Sequence, residues 1–239
     1  ETVLSRRISS VILGVEDLYH EHNGAACIRT AEGLGIHNIY AAEVRQPYPY
    51  DAERQERKGA PHGLTDHSEP VKLTKAERRA RQMPNGISMY AHRWVNLETF
   101  QGDDKRSAGL ELVQSAQQRG YKVFGAGPRG QFELSEIPVD EPILLLFGNE
   151  ASGLREDTMR ACDDVFRIPM YGFTESFNIS VSVGMALEQI GRRCRSLLAS
   201  EGRAGDLSEA EQRIWTARWL ARDLKRVDLV LARLLTPID

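Results

Sequence analysis

Residues 168–190 read IPMYGFTESFNISVSVGMALEQI, and this stretch joins a polar, glycine-containing loop directly to a hydrophobic helix. Its apolar residues recur at steps of three and four, the period of one helical face, at Ile179, Val183, Leu187 and Ile190. The mouth of that helix carries three hydrogen-bonding side chains, those of Ser176, Asn178 and Ser180. Because the first turn of a helix has unsatisfied N–H groups, it favours polar caps and electron-rich ligand atoms. The stretch therefore predicts a buried helix whose start is a candidate ligand site.

Apolar strands and amphipathic helices alternate along most of the remaining chain. The sequence predicts strands at 11–16, 36–44, 121–127, within 140–150 and at 164–170. It predicts helices at 24–35, 107–120 and 155–163, the first with Asn23 as its N-cap and Gly35 as its stop. Strands that alternate with helices, with glycines beside the apolar runs, indicate an α/β domain built on a parallel sheet.

Length and composition set broad limits on the class of protein. A chain of 239 residues, 41% hydrophobic and 27% charged, is typical of one soluble globular domain with or without a small appendage. The sequence contains neither a membrane-length apolar run nor a typical signal peptide at its start. Its three cysteines form no CxxC pair and no metal-ligand spacing. We therefore expect a reduced, cytoplasmic protein without a metal and without a membrane partner.

Positive charge is concentrated in two segments, although the whole chain has a formal charge of −3. Segment 51–85 has eight Lys/Arg against six Asp/Glu, and segment 192–239 has ten against seven. The first lies in a polar, proline-rich stretch, 46–85, which predicts a long surface insertion with a short helix at 74–82. A solvated loop is one interpretation of this insertion. The other is a phosphate-binding patch formed by Lys72, Lys75, Arg78, Arg79 and Arg81.

From about residue 206 the sequence predicts one or two terminal helices. Trp215, Trp219 and Leu220 are expected to lie on a single stripe of these helices.

Three predicted strand ends are rich in glycine and small polar residues: 125–130, 147–154 and 168–176. Ligands of open parallel sheets bind beyond the carboxyl ends of the strands, so these ends predict the binding site. Single residues there also have ordinary structural interpretations. Ser176 suits a helix N-cap, Glu150 suits a turn, and Arg29 can pair with an acid. The chain lacks GxxxxGK[ST], GxSxG, HExxH and a strand-linked GxGxxG, so ATP-dependent transfer, serine hydrolysis and zinc proteolysis have no motif here.

Three stretches together resemble a known family. HNGAACIRTAEGLGI (22–36), LLLFGNEASGL (144–154) and RIPMYGFTESFNISVSVGMAL (167–187) are similar to the three signature motifs of the SpoU/TrmH branch of SPOUT RNA 2'-O-methyltransferases. They carry the Asn-x5-Arg-Thr, FGxExxGL and IPMxGxxxSxNxSV patterns in that order. The resemblance extends over residues 11–190.

The resemblance implies a parallel sheet flanked by helices, with a C-terminal deep trefoil knot that binds S-adenosylmethionine. It places the methyltransferase domain at 1–198 and a C-terminal helical extension at 199–239. It also implies a homodimer with its active site at or near the subunit interface. The reaction implied is metal-free methylation of a ribose 2'-hydroxyl in RNA.

The same resemblance assigns candidate residues. The catalytic set is Arg29, Asn23, Glu150, Ser176 and Asn178. The cofactor-binding set is Gly125, Gly148, Ile168, Met170 and Phe177, the last of which stands where many relatives have Leu. Arg29 would help to remove the ribose proton, together with a phosphate of the substrate. Since the ordinary pKa of arginine is above about 12, its main role would be positioning and charge stabilisation.

The substrate implied is structured RNA, and tRNA is favoured, with a D-loop guanosine as the leading target. The terminal helices resemble the extension of the family's tRNA enzymes, and the N-terminal RNA-binding domain of some rRNA enzymes is not seen. An rRNA methyltransferase is the alternative. A non-catalytic knotted RNA-binding or assembly protein is a third interpretation, and the presence of Arg29, Glu150, Ser176 and Asn178 argues against it.

Overall fold

The structure is a computed structural model that describes residues 3–18, 21–43, 91–101 and 107–223. The predicted insertion at 46–85 lies outside the described residues. So do the helix predicted at 74–82 and the five basic residues assigned to RNA. Residues 224–239 of the predicted extension also lie outside them.

A seven-stranded sheet forms the centre of the described chain, and all its pairings are parallel. The strands are β1 (Ile8–Glu16), β2 (Ile36–Glu43), β3 (Asn96–Gln101), β4 (Lys122–Ala126), β5 (Phe132–Glu133), β6 (Ile143–Phe147) and β7 (Asp164–Arg167). Their order across the sheet is β3-β2-β1-β6-β4-β7-β5. The α/β class and the parallel sheet predicted from the sequence are confirmed.

Helices cover both faces of the sheet. They are α1 (Glu21–Gly33), α2 (Ala108–Gln118), α3 (Glu156–Ala161), α4 (Ile179–Ser200) and α5 (Glu209–Asp223), with 3-10 helices at Val3–Arg6 and Ala91–Trp94. Buried residues of α1 and α4 pack on one face, and those of α2, with α3, pack on the other. Alternate residues of β1 point to the two faces, as in any strand, so Leu13 joins the first core and Ile12 the second.

Several predicted boundaries need correction. β1 begins at Ile8 rather than at residue 11, and β7 ends at Arg167 rather than at residue 170. The prediction of Asn23 as an N-cap is wrong, because α1 already begins at Glu21 and Asn23 lies within its first turn. The N-cap of α4 is Asn178 rather than Ser176. Gly35 has a φ of 76° and lies just after α1, as expected for a residue that stops a helix.

The C-terminal helix α5 packs at the amino-terminal end of the sheet. Leu207 and Trp215 are buried against Leu4, and Trp219 packs beside them. Leu220 is 62% exposed, so the prediction that it shares a stripe with the two tryptophans is wrong. It lies about 100° around the helix from Trp219, which turns it away from the core.

Polar contacts attach both α4 and the segment before α5 to the amino-terminal end of the sheet. The Asp206 carboxylate accepts hydrogen bonds from Ser9 N and, at 3.0 Å, from Ser10 N. Arg195 of α4 donates to the carbonyls of Leu34, at 2.7 Å, and Arg6, at 2.9 Å. The amino end of the sheet is therefore closed by residues from the far end of the chain.

No helix among the described residues is long and apolar enough to cross a membrane. Within the same residues, no group of three or more His, Cys, Asp or Glu side chains is placed to hold a metal ion.

Candidate active site

The three glycine-rich loops leave adjacent strands at one edge of the sheet. β4 lies between β6 and β7, and Gly125 of β4 pairs with Leu146 on one side and with Val165 on the other. Because the strands are parallel, the segments that follow them emerge at the same edge. The three loops that the sequence analysis singled out therefore start side by side.

The loop after β6, residues 148–154, is tightly folded. Asn149 and Gly153 exchange two backbone hydrogen bonds of 3.1 and 2.8 Å, and Gly153 has a φ of 68°. A Cβ on Gly148 would overlap the backbone of Gly153 and Leu154, so only glycine fits there. The Asn149 side chain donates to the carbonyl of Asp17 at 2.8 Å, which attaches the loop to the end of β1.

Three predicted site residues, one from each motif, form a continuous hydrogen-bond network. Asn23 Nδ2 donates to Glu150 Oε1 at 2.6 Å, and Asn178 Nδ2 donates to Asn23 Oδ1 at 3.2 Å. Asn178 also caps α4, since its Oδ1 accepts from Ser180 N at 2.9 Å. The network fixes the orientation of the Glu150 carboxylate at the start of α4.

The other two catalytic candidates lie on α1, which also carries Asn23, and on the loop before α4. Arg29 is exposed on α1, six residues after Asn23, a rise of roughly 9 Å along the helix axis. Ser176 is exposed on the loop, two residues before the Asn178 cap. Both side chains are therefore accessible to a large substrate that approaches this edge.

Most of the cofactor candidates lie on the loops that follow β6 and β7. Ile168 and Met170 are half-buried, Ile168 packs against the core, and Phe177 is 39% exposed. These partly exposed apolar side chains are suited to contact the base of a nucleoside cofactor. Gly125 differs from the others. It is buried inside β4, and a Cβ there would lie 3.1 Å from both Cys162 Sγ and Leu154 Cδ1, so its small size serves packing.

Comparison with known proteins identifies the family. Residues 71–188, about half of the chain, match the model of the SpoU rRNA Methylase family. The chain belongs to the SpoU methylase family. The matched region includes Glu150, Ser176 and Asn178, whereas Asn23 and Arg29 precede it.

Relatives of this SpoU methylase resemble it over most of their length. It is 23% identical over 200 residues to the tRNA (guanosine(18)-2'-O)-methyltransferase of Borreliella burgdorferi, covering 82% of this chain and 72% of that protein. Its fold is similar to that of the A. aeolicus TrmH/SpoU tRNA modifying enzyme, with a TM-score of 0.66 and 22% identity over 93% of this chain and 94% of that one. It is also similar to the AdoMet-bound rRNA methyltransferase of Sinorhizobium meliloti, with a TM-score of 0.54 and 16% identity over 81% and 60% of the two chains.

A cavity of about 450 Å³ opens near the loop after β4, on the α3 side of the SpoU methylase sheet. Its lining includes Gly127, Pro128, Arg129, Met159 and Cys162. None of the predicted catalytic or cofactor residues lines it. We therefore place the candidate site at the edge where the Asn23–Glu150–Asn178 network lies, and not in this cavity.

Sequence reasoning missed one buried acid of this SpoU methylase, Glu16 at the end of β1. It is 1% exposed and accepts hydrogen bonds from Thr158 Oγ1 at 2.6 Å and from Arg155 N at 2.8 Å. Burial raises the pKa of this carboxyl, while the two hydrogen bonds act in the opposite direction. The available signal was an acidic residue at the last position of an otherwise apolar strand.

Proposed function

We propose that this chain transfers the methyl group of S-adenosylmethionine to the 2'-hydroxyl of a ribose in structured RNA. The observation that carries the proposal is the hydrogen-bond network of Asn23, Glu150 and Asn178. It brings residues of all three family motifs to the strand ends where a ligand of a parallel sheet binds. When bound, the cofactor would supply a methyl group activated by its sulfonium, and the ribose oxygen would take this methyl group while the sulfur leaves, with no metal required.

The residues of this chain orient the reacting groups. Displacement at the methyl group requires the ribose oxygen within roughly 3–3.5 Å of it and in line with the sulfonium. Arg29, exposed on α1, binds the RNA backbone beside the reacting ribose and stabilises negative charge as the hydroxyl loses its proton. A phosphate of the substrate takes part in accepting that proton. Ser176 and the Glu150 carboxylate, held by the two asparagines, orient the ribose and the donor.

Ile168, Met170 and Phe177, with the backbone at Gly148, would hold the cofactor on the loops that follow β6 and β7. These roles rest on the family motifs and on the placement of the residues at one sheet edge.

The favoured substrate is tRNA, with a D-loop guanosine as the target, and the protein acts in the cytoplasm. The name of the Borreliella burgdorferi relative, a tRNA (guanosine(18)-2'-O)-methyltransferase, supports this choice. The rRNA alternative is supported by the description of the matching family model. The basic residues of the insertion, Lys72, Lys75, Arg78, Arg79 and Arg81, contact phosphates of the RNA in either case.

Two further features belong to this proposal: a trefoil knot and a homodimer. The knot is inferred from the family motifs, and α4, which follows β7 in the chain, packs on α1. The loop between β7 and α4 exposes Tyr171 and Phe173 almost completely, at 97% and 108% of their reference surface. Two aromatic side chains exposed beside a polar site suit the centre of a subunit interface.

The test is transfer of a labelled methyl group from S-adenosylmethionine to separate pools of unmodified tRNA and rRNA. Digestion and mass spectrometry then locate the modified nucleotide. We expect a single ribose-methylated nucleotide from the tRNA pool. Arg29→Ala should lower the rate at least about 100-fold, because a charged group next to the developing oxyanion is lost. Cofactor affinity, measured by calorimetry, should remain within about twofold.

The matched control is Arg203→Ala, which removes another exposed arginine, after α4 and at the opposite end of the sheet. It should leave the rate unchanged. Full activity of Arg29→Ala would refute the assignment of Arg29. Cofactor binding without transfer to either RNA pool would instead favour the non-catalytic RNA-binding interpretation.

A further inference from the structure

The Glu16 side chain is almost completely buried, with 1% of the residue exposed. Oε1 accepts the hydroxyl hydrogen of Thr158, which is itself fully buried, and Oε2 accepts the N–H of Arg155. A Cβ on Gly109 of α2 would overlap this carboxylate, so the helix opposite it can carry only glycine there. The Ser107 hydroxyl lies 3.5 Å from Thr158 Oγ1 and extends the same network.

A buried carboxylate is costly unless its oxygens accept hydrogen bonds, and here each oxygen accepts one. The atoms that satisfy it belong to the segment that directly follows the 148–154 loop. Arg155 is the N-cap of α3, and its side chain makes no capping hydrogen bond. Glu16 thus binds the backbone at the start of α3, where the helix dipole also favours a negative charge.

The end of β1 holds the same loop at both of its ends. Asn149, at the start, donates to the carbonyl of Asp17, and Arg155, just past the end, donates to Glu16. Asp17 has a φ of 51°, a conformation that turns the chain sharply after the strand. Glu150, which accepts the hydrogen bond of Asn23, lies between these two attachments.

We propose that Glu16 is a positioning residue for methyl transfer. Through Thr158 and the backbone of Arg155 it fixes the 148–155 segment in the conformation that presents Gly148 to the cofactor and Glu150 to Asn23. This inference rests on the proposed function, since it assigns a purpose to the loop only if the loop binds S-adenosylmethionine.

The test compares two substitutions of Thr158. Thr158→Val has nearly the same shape but removes the hydroxyl that donates to Glu16, whereas Thr158→Ser keeps the hydroxyl and removes a buried methyl group. Calorimetry measures the dissociation constant of S-adenosylmethionine, and initial rates with RNA separate KM for the cofactor from kcat. Melting temperatures are recorded for each variant.

We expect Thr158→Val to raise the dissociation constant and the KM of the cofactor about tenfold, the scale of one lost hydrogen bond to a charged group. Thr158→Ser should melt at a lower temperature but bind the cofactor within about twofold of the wild-type value. Glu16→Gln, which replaces one acceptor oxygen by a donor, should behave like Thr158→Val. Tyr121→Phe removes a hydrogen bond to Ser9 O at the opposite end of β1 and should leave cofactor affinity unchanged.

The possible outcomes distinguish a failure of the positioning role of Glu16 from a failure of the proposed function. If the wild type binds the cofactor and Thr158→Val binds it equally well, Glu16 is a packing residue and the inference is wrong. If affinity simply follows melting temperature through all four variants, the positioning role is also refuted. If the wild type neither binds the cofactor nor methylates RNA, the proposed function itself fails.

Discussion

The side chain of Asn23 needs both halves of its amide. It donates to the Glu150 carboxylate with its nitrogen and accepts from Asn178 with its oxygen. An aspartate could not donate to Glu150, and a lysine could not accept from Asn178. The two asparagines therefore connect the N-cap of α4 to the Glu150 carboxylate by hydrogen bonds, and this connection needs both of them.

His37 is a second residue whose environment determines its behaviour. It is buried on β2, its ring packs edge-on against Trp215 at 4.7 Å, and neither ring nitrogen has a hydrogen-bond partner among the described residues. Burial lowers its pKa from 6.5 to about 4, and the nearby Arg7 adds to this effect, while Glu211 and Asp206 oppose it. The folded protein thus holds His37 neutral across the range where the unfolded chain takes up a proton.

This predicts a loss of stability in mild acid. Because the pKa is lowered on folding, the stabilisation is complete above about pH 6.5 and is lost as the pH falls towards 4. The free energy of unfolding should be about 2 kcal/mol lower at pH 5 than at pH 7 through this residue alone. In His37→Phe that part of the decrease should disappear. Urea titrations of both proteins at the two pH values provide the measurement, and equal decreases would contradict the explanation.

At the scale of elements, α5 is attached through few residues. Trp215 is 8% exposed against Leu4 and His37, while most other side chains of the helix face solvent. Trp215→Ala should lower the free energy of unfolding by about 3 kcal/mol, because it removes the largest buried group of this contact. Ile214→Ala, at a side chain that is 53% exposed, should change it by less than about 0.5 kcal/mol.

Limited trypsin digestion distinguishes local release of α5 from general unfolding. In Trp215→Ala, cleavage at Arg213 and Arg218 should be faster, while the affinity for S-adenosylmethionine stays unchanged, because α5 packs at the opposite end of the sheet from the site. Cleavage at the wild-type rate would mean that Trp219 and Asp206 hold the helix without Trp215.

The elements that the sequence predicted well are those that local pattern determines. The apolar run at 143–147 and the three-four spacing of α4 appear in the structure nearly as predicted. The failures involve distant partners. The side chain of Asn23 binds Glu150, 127 residues away, instead of capping α1. β5 has only two residues and is defined by its pairing with β7. The burial of Glu16 depends on Gly109 and Thr158, which no local pattern connects to it.

At the scale of the whole molecule, the proposed homodimer would cover three exposed aromatic side chains on one loop of the described residues. Tyr171 and Phe173, with Phe177 at 39% exposure, lie on the loop between β7 and α4. We expect Phe173→Asp to shift the protein from dimer to monomer in sedimentation velocity, because a carboxylate would be buried in the interface. Ile214→Asp, at a similarly exposed apolar residue on α5, should leave the dimer intact. A wild-type protein that sediments as a monomer, or a dimer unaffected by Phe173→Asp, would contradict this interface.

The carboxylate of Asp206 also bonds to the Ser9 hydroxyl, at 2.9 Å and across 197 residues of sequence. During synthesis, Ser9 of β1 therefore leaves the ribosome long before Asp206 has been made. Asn23 likewise meets Asn178 only after 155 further residues. Contacts between such distant residues form slowly, and a chain that waits for them exposes apolar strands that invite aggregation. A nascent chain that has been made only as far as residue 177 therefore lacks the Asn178 side of this hydrogen-bond network.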